Sequence, residues 1–290
     1  MLKNLHFPLT VHWSIFALVF LFSSKPNAQN TSYLTLYTQS AFNIKTTDVN
    51  LPVGAIAASA DVGAMGNASY SIPIAMPPGT NGVAPSLAVV YNSMGGNGSL
   101  GQGWGLSGLS AITRTTKSIY FDNETNPVEL TANDRFALDG VRLILKTGTY
   151  GSSGATYATE AESFATITSN GTQGVGPQWF EVWTKDGVKM EFGNTVDSRF
   201  LNHDNTKVIA WKLNKIKYND GNYIEFKYIN ASDRDHRIDE INYTGNSVTG
   251  LAPYNKIKFN YSIRYDITTT YEVKTPIVSK YLLDNITITA

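Results

Sequence analysis

Glu160 and Glu162, one residue apart, are the first side chains whose spacing could do chemistry. Transferases of ADP-ribose use a Glu-x-Glu pair of this kind, with the second glutamate on the ribose. That chemistry also requires an upstream arginine and a Ser-Thr-Ser strand at the nicotinamide cleft. Only Ser152-Ser153-Gly154 stands upstream, in a flexible loop, so the pair reads as two solvated carboxylates. Gly96-x-Gly98-x-x-Gly101, preceded by the strand-like Leu87–Asn92, has the glycine spacing of a dinucleotide fingerprint. Such a fingerprint works because a helix starts at the last glycine and points its amides at the pyrophosphate. Gln102-Gly103-Trp104-Gly105 starts no helix, and a structural turn is expected.

Asp204, Asp233, Asp235 and Asp239, with His203 and His236, could ligate calcium or a transition metal. The Asp-x-Asp-x-Asp-Gly calcium pattern is absent, and Arg234 and Arg237 offer neutralising partners, so a charged turn is expected. No Gly-x-Ser-x-Gly elbow announces a serine nucleophile. Trp179, Trp183, Trp211 and the many tyrosines could form a sugar-stacking platform, but alternation places most rings with Ile and Phe, which favours core packing. The reading is therefore of a protein that is not an enzyme, with no catalytic, cofactor-binding or metal residue assigned and no cofactor implied.

Composition narrows the classes further. The 290 residues contain 23 Lys+Arg, 23 Asp+Glu and no cysteine, and 42% are hydrophobic. That apolar share is enough to build a core. A zero charge balance lacks the basic footprint of a nucleic-acid protein, so no nucleic-acid partner is expected. Without cysteine there is no disulfide scaffold, thiolate zinc site or thiol nucleophile.

The elements that must position any site are strands. No 3.6-residue periodicity of helical length follows residue 30, whereas period-two alternation is common. Ile257, Phe259, Tyr261, Ile263 and Tyr265 alternate with Lys256, Lys258, Asn260, Ser262 and Arg264, giving one apolar and one polar face. Phe180–Thr184 and Val188–Phe192 flank Lys185-Asp186-Gly187, and Trp211–Tyr218 and Tyr223–Tyr228 flank Asn219-Asp220-Gly221-Asn222. Asp139-Gly140 separates Phe136–Leu138 from Arg142–Leu145. Asp-Gly supplies the positive φ angles of tight hairpins. The apolar parity slips between Leu213 and Ile216, which predicts a bulge near Asn214–Lys215 or burial of both faces. Pro73 in a strand-like run predicts an edge strand or a bulge. The fold class expected is all-β, with antiparallel hairpins in a sandwich- or shell-like domain and no substantial helix after the N-terminal segment.

That segment, residues 1–28, reads as a secretory signal peptide, with Lys3 before the apolar run Trp13–Phe22 and Ala28 before a cut at Gln29. The run is too short for a stable membrane span. Losing Lys3 and Lys25 leaves 21 positive against 23 negative charges. An extracellular location follows from this reading. Residues 29–61 form a lead-in. Residues 62–290 form one β domain, divided into a Gly/Pro-rich part (63–178) and an aromatic hairpin part (179–290). Gly148–Gly154 and Asn170–Gly176 read as flexible loops. The chain stops at Ile286–Ala290 inside a strand-like pattern, which reads as a cut.

One stretch carries a specific pattern. Gly66-Asn67-Ala68-Ser69-Tyr70-Ser71-Ile72-Pro73-Ile74 is followed by Pro77-Pro78-Gly79, Pro85-Ser86-Leu87 and Val90-Tyr91-Asn92-Ser93. Then come Gly96-Asn97-Gly98, Leu100-Gly101, Gly103-Trp104, Leu106-Ser107-Gly108-Leu109-Ser110 and Ile112-Thr113-Arg114. Asp134-Arg135-Phe136, Asp139-Gly140, Trp211, Leu213, Ile216, Asp220-Gly221-Asn222, Ile224 and Tyr228 continue it. The sequence resembles the N-terminal domain of SpvB-type proteins, which also opens the B component of insecticidal toxin complexes and many secreted RHS (YD-repeat) proteins. The resemblance implies a non-catalytic β scaffold whose partners are downstream β-propeller and RHS segments of the same or a partner chain, forming a shell. A secreted carbohydrate-binding or adhesion module, with a glycan partner, is the alternative; a fragment of an ADP-ribosyltransferase-linked toxin is a remoter one. Seven glycines between Gly95 and Gly108 carry a large ordering cost, and Trp104 among them reads as a buried anchor. Its truncation is expected to cost roughly 3–5 kcal/mol.

Overall fold

A computed structural model describes residues 57–230 and 235–290. Most of the signal and lead-in segments, and Asp233 and Arg234, lie outside the described residues. The first sheet is antiparallel and contains β1 (Ser59–Val62), β2 (Ala68–Pro73), β3 (Ala88–Asn92) and β6 (Trp104–Ser107), in the order β1-β2-β3-β6. Between β3 and β6, β4 (Asn97–Gly98) and β5 (Gly101–Gln102) form a miniature hairpin. The residues expected as lead-in thus end inside β1. Pro73 occupies neither an edge strand nor a bulge: it is the last residue of β2, an interior strand, opposite Ala88. A strand end tolerates the missing N–H as well as an edge does.

The larger sheet closes on itself. Its barrel strands are β7 (Ala111–Thr115), β8 (Arg135–Leu138), β9 (Val141–Thr147), β10 (Thr156–Thr159), β11 (Thr166–Asn170), β12 (Trp179–Trp183), β13 (Lys189–Phe192) and β15 (Val208–Lys217). Each pairs antiparallel with the next, and β15 joins both β7 and β13, so the eight strands form a closed barrel. Closure satisfies backbone groups that an open sheet would leave at its edges. The short β14 (Arg199–Leu201) pairs with β15. Past the barrel the same sheet continues through β16 (Asn222–Asn230), β17 (His236–Asn246), β18 (Asn255–Glu272) and β19 (Thr275–Thr289). The one α-helix among the described residues, α1 (Ile119–Asp122), has four residues. The all-β expectation holds, and the sandwich- or shell-like alternative resolves to a barrel with appended strands.

Local chemistry explains the hairpins. Asp139 (φ 48°) and Gly140 (φ 84°) both take positive φ, as a two-residue turn between β8 and β9 requires. The Asp139 carboxylate is further fixed by Ser110 Oγ at 2.6 Å and the Ala111 amide at 2.9 Å. Register establishes the bulge predicted in β15: Glu191 faces Lys215 while Phe192 faces Leu213, leaving Asn214 as the extra residue. Its Oδ1 accepts the Asn194 amide at 3.0 Å. The two segments expected as flexible loops are tied together: Gly154 N donates to Ser169 O at 2.7 Å, and Gly171 N to Ser153 Oγ at 2.9 Å.

Inward-facing residues fill the barrel. Phe136 stacks on Tyr150 (5.3 Å between centroids) and meets Phe180 (5.2 Å) and Trp211 (5.3 Å) edge to face. Leu143, Ile167, Phe192 and Leu213 complete this core. Edge-to-face contacts of this kind add to the stabilisation that burial provides.

The alternating run in β18 behaves differently from expectation. Ile257 and Phe259 are buried, but Ile263 and Tyr265 are exposed and the intervening Arg264 is buried. Pairing with β17 ends at Lys258, and the β18–β19 register shifts between Ile263 and Thr268. Beyond that point no described residue covers the apolar face of β18, and Tyr265, Ile267 and Tyr271 are exposed. Trp104, expected to be buried, is half-buried. Among the described residues the fully buried tryptophan is Trp211, at 0% exposure.

Candidate functional site

The glycine-rich signature is a docking loop within the fold. Gly103 (φ 77°) lies so close to Tyr91 that an added Cβ would sit 2.6 Å from Cε2 of the ring. Gly108 (φ 91°) abuts the Ser86 carbonyl, where any side chain would overlap. Trp104 closes this corner against Tyr91 (5.1 Å) and Tyr70 (6.5 Å). Gly96, Gly98 and Gly101 lie on the β4–β5 hairpin, and no helix follows. Arg264 of β18 meets the hairpin: its Nη1 donates to Gly98 O at 3.2 Å and its Nη2 to Asn97 Oδ1. Asn97 Nδ2 in turn donates to Asp266 Oδ2 at 2.6 Å, and Leu283 N donates to Ser99 O at 2.7 Å. Hydrogen bonds from Arg264 and then Asn97 hold the Asp266 carboxyl well below the usual range. The loop carbonyls thus face a guanidinium, the opposite of an amide cradle for phosphate.

Arg114 and Asp134 from the same signature meet beside the barrel core. They form an ion pair at 3.0 Å with side chains 2% and 1% exposed. Arg114 Nε donates to Val208 O (2.7 Å) and Nη2 to Val175 O (2.6 Å), while the guanidinium lies over Phe136 and Trp211. Burial lowers the Arg114 pKa, and Asp134 opposes that effect. Arg135 and Arg142 both bind Asp122 of α1, the former at 2.7 Å. Burial alone would raise the Asp122 pKa, but the Ser118 amide and these two arginines hold it below its usual value. These signature charges are therefore spent on internal partners.

The other residues singled out in the sequence do not converge. Glu160 and Glu162 are exposed on a turn, where Glu162 Oε1 accepts the Phe164 amide at 2.8 Å. Asp204 caps Thr206, accepting its amide at 2.9 Å, and Asp239 pairs with Lys258 at 2.6 Å. Asp235 pairs with Arg237 at 3.3 Å. Among the described residues no group of three or more His, Cys, Asp or Glu could hold a metal ion. His236 stacks on Tyr228 (5.3 Å, 12°), and its Nε2 lies 2.7 Å from Asp197 O. Burial is the main cause that lowers its pKa to about 4, and Lys212 adds to it. His236 also lines a cleft of about 330 Å³ beside Lys212, Arg237 and Tyr261. No helix of the described residues is long and apolar enough to cross a membrane.

The tryptophans separate. Trp211 is buried and donates from Nε1 to Pro177 O and Gln178 O; Trp179 is half-buried; Trp183 is 42% exposed. Sequence reasoning missed three surface features: the bare face of distal β18, the capture of Arg264, and the exposed Ile119-Tyr120-Phe121 tip of α1. Parity places Arg264 on the polar face, and its partners Asn97, Gly98 and Ser279 turn that side chain inward.

Comparison with known proteins agrees with this architecture. No protein with a curated description matches the chain. In fold it is similar to TcdB2-TccC3, with a TM-score of 0.63 and 17% identity over 83% of this chain. The N-terminal domain of the effector protein SpvB from Salmonella typhimurium strain LT2 gives a TM-score of 0.61 and 18% identity, covering 75% of this chain and 87% of that one. The Tc holotoxin pore of Photorhabdus luminescens gives a TM-score of 0.64 and 18% identity over 86% of this chain. The chain spans 14% of the TcdB2-TccC3 and holotoxin chains it matches. The profile of the family described as Salmonella virulence plasmid 65kDa B protein matches residues 62–284, so the chain belongs to the SpvB family.

Proposed function

We propose that this chain is the exported, non-catalytic N-terminal scaffold of an RHS/YD-repeat toxin-like protein. One observation carries the reading: the family signature is consumed in holding the fold, with Arg114–Asp134 beside the barrel core and Gly98 on Arg264. The partner is a following β-propeller or RHS segment, in the same chain or another. Its contact surface is the bare outer part of β18, where Ile263, Tyr265, Ile267 and Tyr271 are exposed and pairing is to β19 alone. Ile263–Glu272 has one open edge, one apolar face and no proline or lysine, which makes it a template for another strand. Residues 1–28 direct export and are removed, leaving the protein extracellular.

A photo-crosslinking residue at Tyr265 in the producing cells tests this function. Capture of a repeat-containing polypeptide is expected; capture of none contradicts the partner. NAD-dependent labelling abolished by Glu162→Ala would overturn the non-catalytic assignment. Mass spectrometry of the protein from the medium checks export by finding an N-terminus at Gln29. A second reading, a carbohydrate-binding module, is favoured by one observation, the exposed ring of Trp183.

A further inference from the structure

The outer face of the barrel carries two side-chain rows that the scaffold role does not use. Trp183 lies opposite Lys189, Lys189 opposite Lys217, and Lys217 opposite Tyr223, across β12, β13, β15 and β16. Directly opposed residues share a face, so these four side chains form one row. Two residues further along each strand, Glu181, Glu191, Lys215 and Glu225 form a second row on that face. The inner row is neutralised. Lys189 pairs with Glu181 at 2.6 Å and Glu191 at 3.3 Å, and Lys215 pairs with Glu225 at 3.0 Å.

Two groups remain available. Trp183 donates from Nε1 to Glu181 Oε1 at 2.7 Å, which fixes the ring while leaving it 42% exposed. Lys217 has no carboxylate partner among the described residues. Both line a groove of about 540 Å³ together with Tyr218 and Asn219. Asn219 Nδ2 ties the two hairpin turns beside the groove by donating to Asp186 O at 3.1 Å.

We infer that this groove binds an acidic saccharide, a sugar bearing one carboxylate. The C–H face of a pyranose is apolar and stacks on a fixed indole, whereas its rim presents hydroxyls. The carboxylate of Glu191, which lines the groove, accepts hydrogen bonds from such hydroxyls. One unpaired ammonium matches one carboxylate on the ligand. A phosphate would bring a second negative charge that Lys217 alone does not offset, since Lys189 and Lys215 are already paired with glutamates. The inference rests on the second reading above and is independent of the scaffold role.

Isothermal titration and saturation-transfer NMR of the full chain test it, with sialyllactose and galacturonate, each bearing one carboxylate, as probes. Lactose is the neutral control and glucose 6-phosphate the phosphorylated one. The acidic probes are expected to bind roughly tenfold tighter than lactose, the worth of one charge-assisted contact. Trp183→Ala is expected to abolish binding, and Lys217→Gln to erase the preference for acid while leaving circular dichroism unchanged. Should Trp183→Ala fail to fold, Lys217→Gln decides alone. Binding that survives both substitutions would overturn the site but spare the carbohydrate-module reading. No saccharide binding would overturn both, and equal affinity for lactose and sialyllactose, or tight binding of glucose 6-phosphate, would overturn the ligand class.

Discussion

The closed barrel and the outer half of the β18–β19 hairpin are built from the same kinds of residue, yet their apolar faces meet opposite fates. In the barrel, Phe136, Phe180 and Trp211 converge edge to face, and the sheet closes through β15. In the hairpin, Ile263, Tyr265, Ile267 and Tyr271 point outward and one edge of β18 is free. Alternation specifies a strand; what lies over its apolar face decides whether that strand is core or surface. Closure supplies a cover from within the barrel, whereas the apolar face of distal β18 stays exposed among the described residues.

Substitutions separate the two regions. The largest effect is expected for Arg114→Ala, which strands the Asp134 carboxylate in a buried site and should cost about 3–5 kcal/mol in denaturant unfolding. A cost under about 1 kcal/mol would show that water already solvates the pair. Next is His236, in the cleft between β7 and the later strands. Its pKa is about 4 in the fold against 6.5 for the free group, so the unfolded chain binds more protons between those values. Stability is therefore expected to fall as pH drops from about 6.5 toward 4, by up to about 3 kcal/mol. His236→Gln should flatten that part of the profile in urea titrations at several pH values.

Trp104→Ala comes third, at about 1–2 kcal/mol, because a half-buried ring has only part of its surface to lose. The smallest effect is expected for Ile267→Lys on the bare face, within about 0.5 kcal/mol of the parent. That substitution should nevertheless reduce any association seen by light scattering, because lysine on an edge strand discourages pairing. A large loss of stability from Ile267→Lys would erase the contrast between the regions.

Features written within a few residues were legible before the structure. Asp139-Gly140 and Asp220-Gly221 mark their turns because few other dipeptides tolerate the required φ angles. The parity slip between Leu213 and Ile216 located the bulge, because one extra residue, Asn214, shifts the alternation by one. Features that depend on long-range register were not legible. The β13–β15 pairing that closes the barrel leaves no local mark, and neither does the capture of Asn97 and Gly98 by Arg264 from 166 or more residues away. Trp104 packs the glycine corner against Tyr91 and Tyr70, but it sits on the outermost strand of a small sheet, so its ring is only half-buried. The exposed Trp183 and the bare face of β18 share this origin: each obeys alternation, and only the closed topology determines which side is outside.

Native-state hydrogen exchange on the full chain, read by mass spectrometry, tests the central claim most directly. A self-sufficient barrel carrying an open edge strand predicts that amides of β12 and β13 exchange only through global unfolding. Those of Ile263–Glu272 should exchange far faster, without it. Equal protection of both segments in the isolated monomer would contradict the account, because distal β18 would then already be covered.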